Sequence, residues 1–295
     1  MPERDLDVAL VSCVKLPEPD PDAAPLARAL ADAGIAAEVL AWDDGAADWS
    51  RARLTLLRSA WNYPTRRDAF LDWAGRVAGV SRLWNPLRVI RWNTYKGYLL
   101  ELDDKGVPVT PTVLLKRGSE TTLRAILEER AWQEVVVKPA ISASSFRTRR
   151  FGRAEQDAGE AHLRELLAER DVLVQRYLPS VEDHGERALV WIDGELTHAV
   201  RKTPRFEGQD ESVSGEAVAI SPAEADLARR AIDEVGAPLL YARIDVAPGP
   251  DGEPVLMELE LVEPSLFFPQ CPQALDRFVA GLRRRLDGGG TPDTD

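Results

Sequence analysis

The sequence predicts a mixed α/β (α+β) protein, and three observations carry that expectation. An apolar strand, a helix-patterned stretch and two more strands follow one another near the N-terminus, the βαβ order that builds a parallel sheet. Strand and helix patterns then keep alternating to the C-terminus. Among them Asp193-Gly194 lies between two strand-like runs, a hairpin signal that adds antiparallel pairing. At 295 residues, 44% of them hydrophobic, the chain is long enough for about two domains.

In order, Leu6 to Cys13 is an apolar strand, Ala23 to Ala33 a helix stopped by Gly34, and Ala36 to Ala41 and Leu54 to Arg58 are further strands. Arg66 to Val77 has an amphipathic helical pattern, and Trp84-Asn85-Pro86 breaks the chain before the next helix. Asn93 to Lys105 reads as one helix ending at Gly106, and Val113 to Lys116 as a strand after Pro108 and Pro111. Thr121 to Arg130 is a helix, and Glu134 to Lys138, with three valines in a row, a strand. Ala140 to Ser145 is a run of small residues, and Arg147 to Phe151 alternates like an exposed strand. Helix Ala154 to Glu169 precedes strands Val172 to Tyr177, Arg187 to Ile192 and Leu196 to Arg201. Gly208 to Gly215 is polar and reads as mobile. Pro222 to Val235 is a helix, Leu239 to Val246 and Val255 to Leu261 are strands, Pro272 to Arg285 is a closing helix, and Gly288 to Asp295 reads as a frayed end.

Charge narrows the choice of function. A formal net charge of -12 repels polyanions, which argues against nucleic acid or an anionic membrane as the main partner. No run approaches the ~18 apolar residues of a membrane span, and Met1 to Asp7 is charged with no apolar stretch behind it. Cys13 and Cys271 are far apart and outside any C-x-x-C pattern, so neither a disulfide framework nor a thiolate metal site is expected and the compartment reads as reducing cytosol. Of the 37 basic residues only Lys15, Lys96, Lys105, Lys116, Lys138 and Lys202 are lysines, so a lysine at a special place is informative.

Two segments can carry chemistry. In the first, Leu239-Leu-Tyr-Ala-Arg-Ile-Asp245 is followed by Asp251-Gly252 and then Val255-Leu-Met-Glu-Leu-Glu260. With Asp251-Gly252 as a two-residue loop, the register sets Asp245 opposite Glu258 and Arg243 opposite Glu260, all on one face. Like charges directly opposite destabilise a sheet unless something offsets them. Either these carboxylates hold a divalent cation, Mg²⁺ or Mn²⁺ by their oxygen chemistry, or this is a solvent face with Arg243 paired to Glu260. In the second segment, Lys138 ends the apolar strand Glu134 to Lys138, where a buried ammonium is costly unless an anion meets it. The small residues after it let backbone N–H groups approach phosphate oxygens; the alternative is a snorkelling surface lysine. His162, His184 and His198 lack metal-ligand spacing, and the chain has no Walker A, G-x-S-x-G or G-x-G-x-x-G after a strand.

Taken in order, these segments resemble the ATP-grasp superfamily of ligases, over about Trp92 to Phe268. The matching pieces are Asn93-Thr-Tyr-Lys96 through Gly106-Val-Pro-Val-Thr-Pro-Thr112, Val135-Val-Val-Lys138-Pro, Val172-Leu-Val-Gln175-Arg-Tyr-Leu178, Gly185-Glu186-Arg187, and Arg243-Ile-Asp245 with Glu258-Leu-Glu260. The resemblance implies a pre-ATP-grasp α/β domain at 1–86, a linker helix and the start of the ATP-grasp fold at 87–118, a small lid subdomain at 119–180, a C-terminal subdomain with the metal site at 181–288, and a disordered tail at 289–295.

It also implies roles. Lys96 and Lys138 would contact nucleotide phosphates, with the Ser142, Ser144 and Ser145 loop closing over them. The strand-edge segment Gln175, Tyr177 and Leu178 would meet adenine, and Glu186 the ribose, with Glu182 and Asp183 as alternatives. Asp245, Glu258 and Glu260 would hold Mg²⁺ or Mn²⁺, and Arg243 would stabilise charge on an acyl phosphate. Three departures stand out: Glu260 replaces the family's usual Asn, Ser and Ala replace a Gly-rich phosphate loop and stiffen it, and Gln175 replaces an acidic residue at the adenine.

The implied reaction is transfer of the ATP γ-phosphoryl group to a carboxylate, then attack by an amine, with positioning and electrostatics carrying the rate. Arg201 or Lys202 would reach the γ-phosphate or the activated carboxylate. Arg58, Trp61, Tyr63, Glu263 and Ser265 are the substrate candidates, each with a packing role as the alternative, and Arg147, Arg149 and Arg150 read as a solvated lid. The chain resembles a branch of small ligases of bacterial natural-product pathways, the O-ureido-D-serine cyclo-ligase type and the short amino-acid ligases. An amino-acid-like substrate is therefore expected, joined to an amine nucleophile, with closure on itself as the alternative and a homodimer left open. A phosphotransferase and a non-catalytic ATP-binding module are the rival readings.

Overall fold

The computed structural model describes residues 4–204, 206 and 212–288. Gly208 and the neighbouring residues to 211, and 289–295, which the sequence reads as mobile and frayed, lie outside them. Three four-stranded sheets form the framework.

The first is wholly parallel. Strands β1 (Leu6–Ser12), β2 (Ala37–Ala41), β3 (Ala52–Leu57) and β4 (Arg82–Trp84) lie in the order β2-β1-β3-β4, with helices α1 (Ala23–Asp32) and α2 (Arg67–Ala78) as crossovers. The expected βαβ order is found. Strand β4 is a correction: it stands where the sequence suggested only a break.

The expected single helix from Asn93 to Lys105 is two, α3 (Leu87–Asn93) and α4 (Tyr98–Asp104), parted at residues 94–97. Gly97 explains part of the corner, for a Cβ there would lie 2.4 Å from the Tyr95 ring. That ring cannot swing aside cheaply, because the Tyr95 hydroxyl donates to Asp171 at 2.6 Å. The corner turns Lys96 inward, and its N–H donates to Ala140 O at 2.8 Å.

The second sheet is antiparallel, in the order β5-β8-β6-β7, from β5 (Thr112–Leu115), β6 (Glu134–Pro139), β7 (Arg149–Gly152) and β8 (Val172–Arg176). Helices α5 (Leu123–Glu129) and α6 (Gln156–Glu169) cover it, their Leu123, Ile126, Leu163 and Leu166 packing on Val135 and Val174 in a separate core. Here the sequence reading is corrected: β8 is an inner strand, with Gln175 paired to Thr112 on one side and Val136 on the other, so its backbone is not an open edge.

A short helix α7 (Ser180–Asp183) leads to the third sheet, antiparallel in the order β10-β9-β11-β12. It comprises β9 (Glu186–Ile192), β10 (Glu195–Lys202), β11 (Tyr241–Pro248) and β12 (Pro254–Glu260), with α8 (Pro222–Asp233) on the chain between β10 and β11. Asp193 and Gly194 both take positive φ, 45° and 92°, the primed turn their sequence predicts. Helix α9 (Pro272–Leu286) buries Phe278 and Leu282 in a core shared by Leu54 and Leu56 of the first sheet and Ala188 and Val190 of the third. That shared core fixes the two sheets against each other. Among the described residues no helix is long and apolar enough to cross a membrane.

Candidate active site

Strand β12 is an edge strand, and its outer side is closed by backbone hydrogen bonds from Leu256 to Pro108 and Thr110, both at 2.8 Å, and further along by side chains. The Asn93 amide donates to Leu259 O and accepts from Leu261 N, both at 2.8 Å. The Tyr98 hydroxyl donates to Leu259 O at 2.9 Å and accepts from Leu259 N at 3.0 Å. Edge groups that would otherwise need water or another chain are thereby satisfied inside the protein, and Glu258 and Glu260 are fixed on a strand that cannot slip.

The predicted register is found: Asp245 faces Glu258 and Arg243 faces Glu260. It is reached by a different route. Pro248 pairs with Pro254 and Gly249 N–H donates to Glu253 O, so the loop is one residue longer than Asp251-Gly252 alone. A bulge then follows, for Val246 pairs with Leu256 and Asp245 with Glu258, leaving Met257 as the extra residue. The two offsets cancel.

All these groups line one pocket between the three sheets, and their charges are paired with one another. Glu258 binds Lys96, with Lys138 at 3.6 Å. Asp245 takes Arg243 at 2.9 Å and Lys202 at 2.7 Å; Arg243 also reaches Glu260 at 2.5 Å, and Lys202 reaches Glu186 at 2.5 Å. Burial lowers the Lys138 ammonium to about 7, with Lys96 pushing the same way and Glu186 and Glu260 opposing. Burial also lowers Lys96, against the pull of the nearby acids. Burial works to raise the Asp245 carboxyl, but Arg243 and Lys202 hold it well below the usual range, whereas burial wins at Glu186 and raises it. Among the described residues no three of His, Cys, Asp and Glu lie together as a ready-made metal site. The acids are interleaved with cations.

One wall of this pocket is the Ser142 to Ser145 loop. Ser144, Ser145 and Arg147 take φ of 48°, 54° and 51°, so the chain adopts a left-handed path without glycine there. The Ser144 hydroxyl donates to Glu18 Oε1 at 2.9 Å, joining this loop to the one between β1 and α1. The opposite end is lined by Trp61, Tyr63, Glu263 and Ser265. Burial raises the Glu263 carboxyl to about 8, with Glu260 adding and Lys96 opposing. Thr110 also lines the pocket, and its hydroxyl is buried with no partner among the described residues, an atom that a bound ligand would satisfy.

Residues 8–85 match the family model described as D-cycloserine synthetase DcsG, N-terminal domain. The cycloserine biosynthesis protein DcsG of Streptomyces lavendulae is 35% identical, over 95% of this chain and 98% of its own. The chain belongs to the D-cycloserine synthetase family. A crystal structure of D-cycloserine synthetase DcsG matches with a TM-score of 0.86 at 34% identity, covering 95% of this chain and 99% of that one. D-alanine–D-alanine ligase from Bacillus anthracis shares the fold, with a TM-score of 0.67 at 13% identity, covering 97% of this chain and 100% of that one. The expected ATP-grasp fold holds, and the protein is an ATP-dependent, ADP-forming ligase.

Of the expected site residues, this synthetase-family chain brings Lys96, Lys138, Ser142, Ser144, Ser145, Gln175, Tyr177, Leu178, Glu186, Lys202, Arg243, Asp245, Glu258, Glu260, Trp61, Tyr63, Glu263 and Ser265 to the one pocket. Arg201 is a correction. Neighbouring strand residues point to opposite faces, so while Lys202 enters the pocket, Arg201 is exposed and donates to His184 O at 2.8 Å and Asp183 O at 2.6 Å. Gly185 leaves it room, since a Cβ there would lie 2.6 Å from the Arg201 side chain. Arg58 is another: it is buried against Asp22 at 3.3 Å and Pro264 O at 3.2 Å, behind the pocket wall. Of the three acids considered for the ribose, Glu186 lines the pocket, while Glu182 is taken by Arg150 and the Tyr177 hydroxyl.

The supposed solvated lid is a set of ties: Arg147 pairs with Glu165 and Glu169, and Arg150 with Glu134 and Glu182 while stacking 3.7 Å from the Tyr177 ring. Sequence reasoning missed Glu18, Thr110 and Met257 as lining residues and Asn93 as the strand clamp. Asn93 and Thr110 had a signal in the family-matching segments and Met257 in its place beside Glu258, while Glu18 had none.

Proposed function

We propose that this ligase activates the carboxylate of a small amino-acid-like substrate as an acyl phosphate and closes it into a ring, as a cyclo-ligase acting on O-ureido-D-serine or a close analogue. The observation that supports ring closure over intermolecular joining is the 35% identity to a cycloserine biosynthesis protein across nearly the whole of both chains. The site has the parts such a reaction needs.

Lys96 and Lys138 are buried ammonium groups facing one carboxylate, and the phosphates of ATP would take over their pairing. Glu186 would accept from the ribose. Gln175, whose amide donates to Thr112 Oγ1 at 2.9 Å, would offer its oxygen to the adenine beside Tyr177 and Leu178. Asp245, Glu258 and Glu260 would hold Mg²⁺ or, on the same hard-oxygen chemistry, Mn²⁺. The interleaved cations fit an ion bound through one or two carboxylates together with phosphates, the usual manner for Mg²⁺, better than an all-protein cage. Bound there, the ion would neutralise charge between the β- and γ-phosphates.

Arg243 and Lys202, held by Asp245, would stand against the negative charge that grows as the carboxylate oxygen bonds to phosphorus. The acyl carbon would then bond to a nitrogen of the same molecule as its bond to the phosphate oxygen breaks, releasing inorganic phosphate. Glu263 and the Tyr63 hydroxyl would orient the substrate amine, with Ser265 and Trp61 completing the wall.

Incubation with Mg²⁺-ATP and O-ureido-D-serine tests this reading. One ADP per cyclic product, identified by mass spectrometry, is expected. ADP release only when a second amine is supplied would show intermolecular ligation, a stable phosphorylated product a phosphotransferase, and nucleotide binding without release a non-catalytic module.

A further inference from the structure

Segment 262–268 forms the substrate-side wall, yet most of what fixes it comes from the parallel sheet at the other end of the sequence. The Tyr241 hydroxyl bridges Leu57 O at 3.0 Å and Val262 O at 2.8 Å. Trp61 Nε1 donates to Glu263 O at 2.8 Å and Arg58 to Pro264 O at 3.2 Å. Asp22, just before α1, accepts from Leu266 N at 2.6 Å and Phe268 N at 2.8 Å, and Arg58 pairs with it at 3.3 Å. Both side chains are buried, Asp22 completely, and neither lines the pocket.

One carboxylate thus captures two N–H groups that flank Phe267, and Phe267 sits at φ 52°, a conformation a bulky side chain keeps only where its surroundings impose it. In that conformation its ring lies under the Arg243 guanidinium, 5.6 Å from centroid to carbon. The same contacts leave Glu263 and Ser265 on the pocket side. Burying such a pair is a poor route to stability alone, since apolar side chains of similar size often serve as well or better. Its distinctive product here is the path of the wall.

We propose that Asp22 and Arg58 are positioning residues for the reaction: through segment 262–268 they set where Glu263 and Ser265 meet the substrate and where Arg243 meets the developing charge. The part concerning Glu263 and Ser265 rests on the substrate reading above. The device makes the N-terminal sheet a determinant of substrate use although neither residue touches the substrate.

Asp22→Asn and Arg58→Lys in the full chain test it, with two kinds of readout. Amide hydrogen exchange should speed up about tenfold or more in 262–268 and stay unchanged in β1 and β3, while affinity for Mg²⁺-ADP stays within about threefold of wild type. With O-ureido-D-serine, kcat/KM for that substrate should fall about 10²-fold, the scale of a misplacement near 1 Å. Unchanged exchange, exchange raised evenly across the protein, or Mg²⁺-ADP affinity lost in step with kcat/KM would each overturn the inference. A wild-type enzyme silent towards O-ureido-D-serine refutes the substrate reading alone, and the exchange pattern then decides the positioning of the wall. Should Asp22→Asn not fold, Arg58→Lys keeps the charge, ends one bond short of the Nη2 that meets both Asp22 and Pro264 O, and carries the same readouts.

Discussion

At the charged end of the pocket, Lys138, Lys202, Arg243, Asp245, Glu258 and Glu260 project from strands whose register is fixed by backbone pairing. At the other end, Trp61, Tyr63, Glu263 and Ser265 stand on connections held by bonds that reach across most of the chain, such as Trp61 to Glu263 O and Asp22 to Leu266 N. The first construction fixes the interleaved charges of the pocket. The second can shift while the strand register stays intact, though it meets the first where the Phe267 ring lies against Arg243. On the proposed reading, charge chemistry and substrate contact rest on differently built parts of the pocket.

Breaking the charged end should have the largest effect. Asp245→Asn removes the carboxylate that Arg243 and Lys202 share, leaving two buried cations short of a partner, which costs about 3 kcal/mol of stability. Turnover should fall by about 10³-fold or more; circular dichroism and denaturation alongside steady-state ADP release check both. Wild-type-like rates would show that the strand-borne network is not the reactive centre.

The next test sharpens the contrast between adjacent residues. Lys202→Met should cost about 10²-fold in kcat/KM. Arg201→Met, one position away on the outer face, should stay within about threefold while lowering the melting temperature slightly. Equal losses would mean that the two faces of β10 are not functionally distinct.

Gly97→Ala addresses how Lys96 is aimed. A methyl group there meets a Tyr95 ring already tied to Asp171, so the corner between α3 and α4 must shift. The KM for ATP should rise about tenfold with kcat changed less, the pattern of a displaced binding group. An unchanged KM for ATP would free Lys96 from dependence on that corner.

The smallest effect concerns His198, on β10, which burial lowers to about 4. Between that value and the ordinary one of about 6.5, the unfolded chain holds a proton that the folded protein does not, so the stabilisation is full above pH 6.5 and is lost as pH falls towards 4. From pH 7 to pH 5 the apoprotein should lose about 1–2 kcal/mol on this account. Denaturant titrations of wild type and His198→Gln at both pH values measure it, and an equal loss in the variant would assign the effect elsewhere.

The same contrast explains what could be read from sequence. Alternation along a strand is written locally, so Val135 to Lys138 could be placed from spacing, while the pairs Asp245–Glu258 and Arg243–Glu260 came out in register because the loop and bulge offsets cancel. Helix and strand existence followed from the same periodicities, but the single helix over Asn93 to Lys105 failed because Gly97 and the Tyr95 ring impose a corner that periodicity does not encode. Sheet order is non-local: nothing near Gln175 says that β5 will flank it, and the reading of β8 as an edge failed for that reason. Arg58 was legible as a substrate candidate at the end of a strand, but its partners Asp22 and Pro264 lie in distant segments, so a clamp for substrate and a clamp for the pocket wall look alike in one dimension.

The extra residue at Met257 has a consequence for how the hairpin tip can change. A tip shorter by one residue, without the bulge, would deliver the same alignment of acids as the present tip with it, because each offset undoes the other. Both arrangements span the same number of residues between Asp245 and Glu258, so the hairpin can exchange one for the other by shifting the strand pairing at its tip, with no insertion or deletion, while the paired acids stay in phase.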